Sequence, residues 1–299
     1  MSGESNTGVV LASGTESMSQ APLSVFGHHV RFGHRLGSDT VMTDTLWTAL
    51  TDSYCKTPMG ITAENLATKY QITRKDCDEY AARSQKGWST AHKAGLFTPE
   101  IAPVEGLKGK KGPETMVDDE HPRPDTTAES LGRLPTVFKK DGVVTAAGSS
   151  GICDGSASLI LASEAALSKY NLKPLVRIVG WSVAGVDPNI MGIGPAPAIR
   201  ALLSKANLSL SQMDIIEVNE AFAAQVLAVE KDLGLHRQQY NINGGAIALG
   251  HPLGASGARI TTHITHMLAQ SNGKKKYGIG SACIGGGQGI AILLENVNL

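Results

Sequence analysis

The second half of the chain alternates apolar strands with amphipathic helices, and this alternation limits the possible folds more than any other feature. Several of the strands are apolar on both faces, as expected where a sheet is covered on two sides. The pattern therefore predicts an α/β protein with a sheet buried between helical layers. The predicted strands are SASLILAS, PLVRIVGWSVAG and MDIIEV, and the predicted helices are EAALSKYN, APAIRALLSKAN, NEAFAAQVLAVEKDLG and SGARITTHITHMLAQ.

Composition excludes several classes of protein. The chain has 299 residues, of which 41% are hydrophobic and 18% charged, so it can form a large core. Its formal net charge is zero, and no apolar run reaches the length of a membrane span. We therefore expect neither a nucleic-acid partner nor a membrane span. The start of the chain resembles neither a secretory signal nor a transit peptide. The four cysteines form no C-x-x-C pair, which predicts reduced thiols and no metal site.

Residues 28–147 differ from the rest in being polar and rich in proline and charge. A helix is predicted after Thr73, which is placed to cap it and is followed by acidic residues in the first turn. We interpret this segment as an insertion that lies over the remaining structure. Near the C-terminus, the pattern predicts a strand at AIAL (246–249), a helix capped by Ser256, and a terminal hairpin joined by glycines.

Three motifs place one polar side chain each at the end of a predicted strand or in a glycine-rich loop. They are VNEAF with Asn219, GGAIALGHPLGASG with His251, and GSACIGGGQG with Cys283. Taken singly, Asn219 is also compatible with a helix cap, His251 with a loop histidine and Cys283 with a small packing residue. The surrounding glycines favour a site instead, because they carry a conformational cost that a merely polar loop would not require. A thiol near an imidazole can move a proton at neutral pH.

Together with GTESMSQAP near the start, these motifs occur in an order that resembles the thiolase family. The resemblance implies a layered α-β-α-β-α fold whose N-terminal half is incomplete and carries an inserted loop domain. The implied divisions are a remnant of the N-terminal half at 1–27, the loop domain contacting CoA at 28–148, the last strand of the N-terminal half at 149–164, and the C-terminal half at 165–299.

The resemblance also implies an activity, which is the cleavage of a 3-ketoacyl-CoA by CoA, or the reverse condensation. Cys283 matches the family's acid/base cysteine, and His251 matches the histidine that activates the nucleophile and binds an oxyanion. Asn219 matches the asparagine that orients a water at that oxyanion, and the N–H of Gly285 would serve a second oxyanion hole. No permanent cofactor is implied, because CoA acts as a substrate.

Contacts to CoA follow from the same resemblance. For Arg123, a solvated loop charge is an equally good interpretation, and a solvated loop is favoured over phosphate binding for the lysines at 108–111. The residues matched to CoA contacts are Ser150, Met191, Phe222, Phe138, Ala146 and Arg123.

The sequence departs from the family at the nucleophile. The family's nucleophilic cysteine precedes GTESMS, and none of the residues before that motif here is a cysteine. We therefore expect an N-terminally truncated thiolase that is inactive as given. The alternatives are a non-catalytic CoA-binding or dimer-forming relative, and the related condensing enzymes, which usually use two histidines. The resemblance further implies a homodimer or homotetramer in the mitochondrion, with the cytosol or peroxisome as alternatives.

Overall fold

The computed structural model describes residues 8–32, 34–106 and 115–298. The strands are β1 Val9–Ser17, β2 Leu23–Ser24, β3 Thr43–Asp44, β4 Val104–Glu105, β5 Thr115–Met116, β6 Asp154–Ala162, β7 Val176–Gly185, β8 Ile215–Val218, β9 Tyr277–Ile284 and β10 Gln288–Asn296. The helices are α1 Gly27–Arg31, α2 Thr45–Ala49, α3 Met59–Tyr70, α4 Arg74–Lys93, α5 Ala128–Gly132, α6 Glu164–Tyr170, α7 Pro195–Ala206, α8 Ala223–Leu233, α9 Ala246–Leu249 and α10 Ser256–Ala269.

The main sheet is built from the C-terminal part of the chain in the order β7-β10-β9-β8. β8 runs parallel to β9, whereas β10 is antiparallel to both β9 and β7. Helix α10 packs on one face, where Gly278 and Gly280 allow it to come close to the strand. A β-carbon at Gly278 would lie 2.5 Å from a methyl group of Ile264. Helix α7 covers the other face.

A second, two-stranded sheet is formed by β1 and β6, which are antiparallel, with Leu11 opposite Ile160. Helix α10 contacts both strands, so it lies between the two sheets. The resulting order of helix, sheet, helix and sheet agrees with the predicted α/β layers. Apolar side chains of this pair of strands face solvent, since Leu11 is 67% and Ile160 72% exposed.

The polar segment that precedes β6 folds over the main sheet. Helix α3 packs against α8, and α4 packs against α8 and α9. The predicted cap at Thr73 is confirmed, because its side chain accepts a hydrogen bond from Asp76 N–H in a capping box. Leu66 and Tyr80 are fully buried in the core that this segment shares with α7 and α8. The domain boundaries inferred from sequence stay a prediction.

Two local expectations are wrong. The segment AIAL is a short helix, α9, because four apolar residues between glycines carry too little periodicity to distinguish a strand from a helix. Ser256 is the first residue of α10, and Ala255 occupies the cap position. The Ser256 hydroxyl instead donates to the carbonyl oxygen of Pro252 at 3.0 Å. Within the described ranges, no helix is both long enough and apolar enough to cross a membrane.

Candidate active site

Asn219 lies where two parallel strands end side by side. It follows β8 directly, and its N–H donates to the carbonyl oxygen of Ser281 on β9 at 2.9 Å. Cys283 lies two residues beyond Ser281, near the end of β9. Asn219 is not a helix cap, since Phe222 holds the cap position of α8. The carboxyl ends of neighbouring strands, where α/β proteins commonly form sites, therefore bring Asn219 and the Cys283 strand together.

His251 lies in the loop between α9 and α10, and β1 and β6 support this loop. Its N–H donates to the carbonyl oxygen of Gly151 at 3.0 Å. The N–H of Gly254 donates to Glu16 of β1 at 3.1 Å. A β-carbon at Gly155 of β6 would lie 2.7 Å from Pro252, so the strand and the loop are in close contact. The small sheet thus fixes the position of the histidine.

Hydrogen bonds on both sides of the imidazole determine which nitrogen carries the proton. The Ser256 hydroxyl donates its single proton in the hydrogen bond to Pro252, so it accepts a hydrogen bond from Nδ1–H of His251 at 2.6 Å. Nε2 of His251 is then unprotonated and accepts from the side-chain amide of Asn219 at 3.1 Å. Oδ1 of Asn219 is buried and has no hydrogen-bond partner among the described residues. Asn219 therefore presents an unused hydrogen-bond acceptor, Oδ1, beside the neutral imidazole of His251.

The two titratable groups of the site have pKa values shifted in opposite directions. Burial, together with the nearby Arg259 cation, lowers the pKa of His251 to about 4. Burial raises the pKa of the Cys283 thiol to about 12. Both side chains are therefore neutral at pH 7, with the imidazole able to accept a hydrogen bond and the thiol holding a proton to donate.

A tight glycine turn connects Cys283 to β10. Gly286 and Gly287 have φ of +84° and +85°, a conformation that favours glycine. The N–H of Gly286 donates to Oδ2 of Asp52 at 3.0 Å. Gly285 precedes them, and a β-carbon there would lie 3.8 Å from the side chain of Met59. The turn thus contacts the segment that leads into α3.

Three of the residues matched to CoA contacts lie together. The N–H of Ser150 donates to the carbonyl oxygen of Ala221 at 3.0 Å, next to Phe222. The ring of Phe222 meets the ring of Phe138 edge-on, with centroids 6.2 Å apart. Trp47 stacks on Phe138 at 6.4 Å and is 53% exposed. Ser150, Phe222 and Phe138 therefore belong to one surface, to which Trp47 adds an exposed ring.

The other three matched residues are more dispersed. Met191 is buried in a short 3₁₀ helix, Pro188–Ile193, that packs against α3 and α8. Ala146 is exposed in the loop before Ser150. Arg123 lines a cavity of about 700 Å³ beside Ile152. Its Nη1 donates to three carbonyl oxygens of its own loop, which gives the side chain a structural role. The lysines at 108–111 lie outside the described residues.

The remaining cysteines occupy three different environments. Cys77 is buried in α4, and burial raises its pKa to about 12. Cys55 is partly exposed in the segment before α3. Cys153 lies against the histidine loop, since a β-carbon at Gly250 would be 2.5 Å from its sulfur. Burial raises the pKa of Cys153, and the N–H of His251 opposes that shift. In the described part of the chain, no three metal-binding side chains lie close enough to hold an ion.

Sequence reasoning missed the partners of the predicted residues. Ser256 sets the proton position of His251, and its place five residues later in the same loop motif was an available signal. Trp47 and Asp52 had no such signal, because their contacts join segments far apart in the chain.

Comparisons with known proteins agree with this architecture. The thiolase N-terminal domain model matches residues 1–165, and the thiolase C-terminal domain model matches residues 172–296. The chain belongs to the thiolase family of acyltransferases. Its layered α/β fold carries the asparagine–histidine pair and the cysteine beside a glycine turn. The predicted family and fold class are confirmed.

Individual relatives have more specific names than the family does. The chain is 60% identical over 288 residues to the mitochondrial 3-ketoacyl-CoA thiolase of Bos taurus, which covers 96% of this chain and 71% of the relative. The human protein of the same name is 58% identical with the same coverage. The crystal structure of human mitochondrial 3-ketoacyl-CoA thiolase in complex with CoA matches with a TM-score of 0.92 and 56% identity, over 97% of this chain and 71% of that one. An acetyl-CoA acetyltransferase structure from Bacillus anthracis matches with a TM-score of 0.91 and 47% identity, over 97% and 72%.

Proposed function

We propose that this chain carries the acid/base half of a thiolase site, serving the cleavage of 3-ketoacyl-CoA by CoA to acetyl-CoA and a shortened acyl-CoA in fatty-acid β-oxidation. The observation that carries the proposal is the Asn219–His251 pair at the end of β8, hydrogen-bonded to the neighbouring strand β9 that carries Cys283, and the pKa values of His251 and Cys283 are shifted in opposite directions. The names of the bovine and human relatives support the substrate class and a mitochondrial location.

In the proposed reaction, the thiolate of the family's nucleophilic cysteine adds to the β-carbonyl carbon, and the bond between the α- and β-carbons then breaks. This leaves the acyl group as a thioester on that cysteine and acetyl-CoA as an enolate. Cys283, protonated at neutral pH, transfers its proton to the enolate carbon and is left as a thiolate. That thiolate then takes the proton of the incoming CoA thiol, which restores Cys283. The CoA sulfur attacks the acyl-thioester and displaces the sulfur of the nucleophilic cysteine. A water held by the unpartnered Oδ1 of Asn219 would stabilise the enolate oxygen while it carries charge, and Nε2 of His251 would add a second donor only once that nitrogen has gained a proton.

CoA would lie on the surface formed by Ser150, Phe222 and Phe138, with Met191 and Ala146 beside the pantetheine arm. Aromatic rings are suited to the apolar part of this ligand. Arg123 would contact the nucleotide end of CoA. We also infer a homodimer or homotetramer, which the exposed apolar side chains of β1 and β6 support. No permanent cofactor is included in the proposal.

The proton-transfer step of the proposed chemistry can be tested by itself, because it needs only Cys283. Protonation of the enolate by Cys283 implies the reverse step, which removes a methyl proton from acetyl-CoA. In D₂O the chain is therefore expected to exchange the methyl protons of acetyl-CoA for deuterium, as read by mass spectrometry. Cys283→Ser should abolish the exchange, whereas Cys77→Ser should leave it unchanged. Absence of exchange by the unmodified chain would refute the proposed role of Cys283.

A second candidate function is non-catalytic CoA binding, which the cysteine positions favour. Cys77 is buried with a pKa raised to about 12, and burial also raises the pKa of Cys153, so neither thiol is poised to act as a nucleophile. Thiolysis of acetoacetyl-CoA and calorimetric binding of CoA separate the candidates. We expect binding without thiolysis by this chain, and CoA-dependent cleavage would contradict that expectation. Absence of CoA binding would refute both candidates.

A further inference from the structure

The glycine turn after Cys283 is held from both sides. On its far side, Val186 N–H donates to the carbonyl oxygen of Gly287 at 2.7 Å. On its near side, Gly286 N–H donates to Oδ2 of Asp52 at 3.0 Å. A turn of glycines has many accessible conformations, so these two bonds limit the directions in which its peptides can point.

Asp52 is itself held rigidly. Its Oδ1 accepts from the N–H of Tyr54 at 2.8 Å and of Cys55 at 2.9 Å, and its own N–H donates to Thr57. The residue is only 6% exposed. These N–H donors, with Cys55 foremost, lower the pKa of Asp52 below its ordinary value. A carboxylate fixed by its own loop therefore presents one oxygen to the glycine turn.

The same loop also contacts Gly285. Met59 begins α3, its N–H donates to Leu50 at 2.9 Å, and its side chain lies next to Gly285. Because Oδ2 of Asp52 fixes the peptide between Gly285 and Gly286, it also restricts the rotation that would turn the preceding N–H, that of Gly285. The loop thus limits the space around Gly285 and holds one of the two peptides that flank it.

We propose that Asp52 is a positioning residue, whose Oδ2 holds the Gly285–Gly286 peptide so that the N–H of Gly285 points at the oxygen of a CoA thioester. The role rests on the proposed thiolase function, which supplies that oxygen. Neither the sequence motifs nor the local pattern around Asp52 indicates it, since 234 residues separate Asp52 from Gly286.

Asp52→Asn is a selective test. The asparagine oxygen can still accept from Tyr54 and Cys55, whereas its NH₂ group would meet the N–H of Gly286, donor against donor. Asp44→Asn is the matched control, because Asp44 accepts from the N–H of Leu46 and Trp47 and does not contact the turn. Asp52→Glu keeps a carboxylate and serves as the conservative variant.

Two measurements on ¹⁵N-glycine-labelled protein decide the question. First, hydrogen exchange at Gly286 N–H should become about tenfold faster in Asp52→Asn, with the exchange of Gly280 in β9 unchanged as evidence of a folded sheet. Asp44→Asn should match the unmodified protein, and Asp52→Glu should lie nearer to it than Asp52→Asn. Unchanged exchange at Gly286 in Asp52→Asn would overturn the proposal.

Second, acetyl-CoA should shift the Gly285 N–H proton downfield in the unmodified protein and in Asp44→Asn. This shift should be lost in Asp52→Asn. If acetyl-CoA binds and the shift persists in Asp52→Asn, Asp52 does not position the turn. If acetyl-CoA does not shift the Gly285 N–H resonance in the unmodified protein, the contact between Gly285 and the thioester, which the proposed function supplies, is refuted. That outcome is separate from the exchange measurement, which tests only the hydrogen bond from Gly286 to Asp52.

Discussion

Glu217 is a buried carboxyl whose ionisation should make the fold less stable as pH rises. It lies on β8, is 2% exposed, and its Oε1 has no hydrogen-bond partner among the described residues. Burial raises its pKa to about 7, although the nearby His263 and Arg259 act in the opposite direction. A carboxyl group in this environment keeps its proton through most of the acidic range.

The magnitude follows from linkage. The folded protein holds the proton up to about pH 7, whereas the unfolded chain releases it from its ordinary pKa of 4.5 upward. The stabilisation is therefore complete below pH 4.5 and is lost as pH rises through 7. Because each pH unit between the two values is worth about 1.4 kcal/mol, Glu217 should reduce the free energy of unfolding by ~2–3 kcal/mol between pH 5 and pH 8.

Glu217→Gln removes this dependence, because the amide resembles the protonated acid and does not ionise. Between pH 5 and pH 8, the free energy of unfolding of the variant should rise by ~2–3 kcal/mol relative to that of the unmodified chain. Equilibrium urea unfolding at pH 5, 6, 7 and 8 measures the change. Glu79→Gln is the control, since its side chain is 51% exposed on α4 and its effect should be independent of pH. If the curves for Glu217→Gln and the unmodified chain run parallel across the range, Glu217 is already ionised at pH 5 and the reasoning fails.

Three further predictions concern the site and its supporting turn. Alkylation of Cys283 by iodoacetamide should rise about tenfold per pH unit from pH 7 to 10, because its pKa is about 12, and a plateau below pH 9 by mass spectrometry would contradict this. Asn219→Ala should raise the pKa of His251 from about 4, because Nε2 loses the amide hydrogen bond that competes with protonation. An unchanged NMR titration of the ring would show that this hydrogen bond does not affect the pKa. Gly194→Ala should lower the free energy of unfolding by ~2 kcal/mol, since its β-carbon would lie 2.3 Å from a backbone oxygen of β10. Gly257→Ala, in open space on α10, should be neutral or stabilising by up to ~1 kcal/mol, and equal effects of the two variants would count against the packing argument.

Features determined by neighbouring residues were predictable from sequence. The cap at Thr73 is three residues from its partner Asp76, and the hairpin of β9 and β10 is formed by adjacent runs. The alternation of strands and helices likewise reflects which faces of each element are buried. Such patterns remain visible in the sequence because both partners lie within one or two elements.

Features that depend on the folded arrangement were not predictable. AIAL is apolar enough for a strand. In the folded protein it packs against α4, and Ile247 N–H donates to the buried carboxylate of Glu220 at 3.1 Å, contacts that the sequence pattern does not reveal. Asp52 carries no signal in the sequence, because its partner Gly286 belongs to the other end of the chain. The residues Asn219, His251 and Cys283 could be named from their motifs, but their protonation states depend on burial, which a motif does not carry.

The serine that bonds His251 has a consequence for how the histidine responds to charge. Its acceptor, the carbonyl of Pro252, also receives the N–H groups of Ala255 and Ser256 at the start of α10. Main-chain geometry, and not an acidic side chain, therefore determines that the lone pair of His251 lies on Nε2. A hydroxyl partner offers an imidazolium no opposing charge, so a proton gained on Nε2 during a reaction is readily given up again. The imidazole of His251 therefore favours its neutral form.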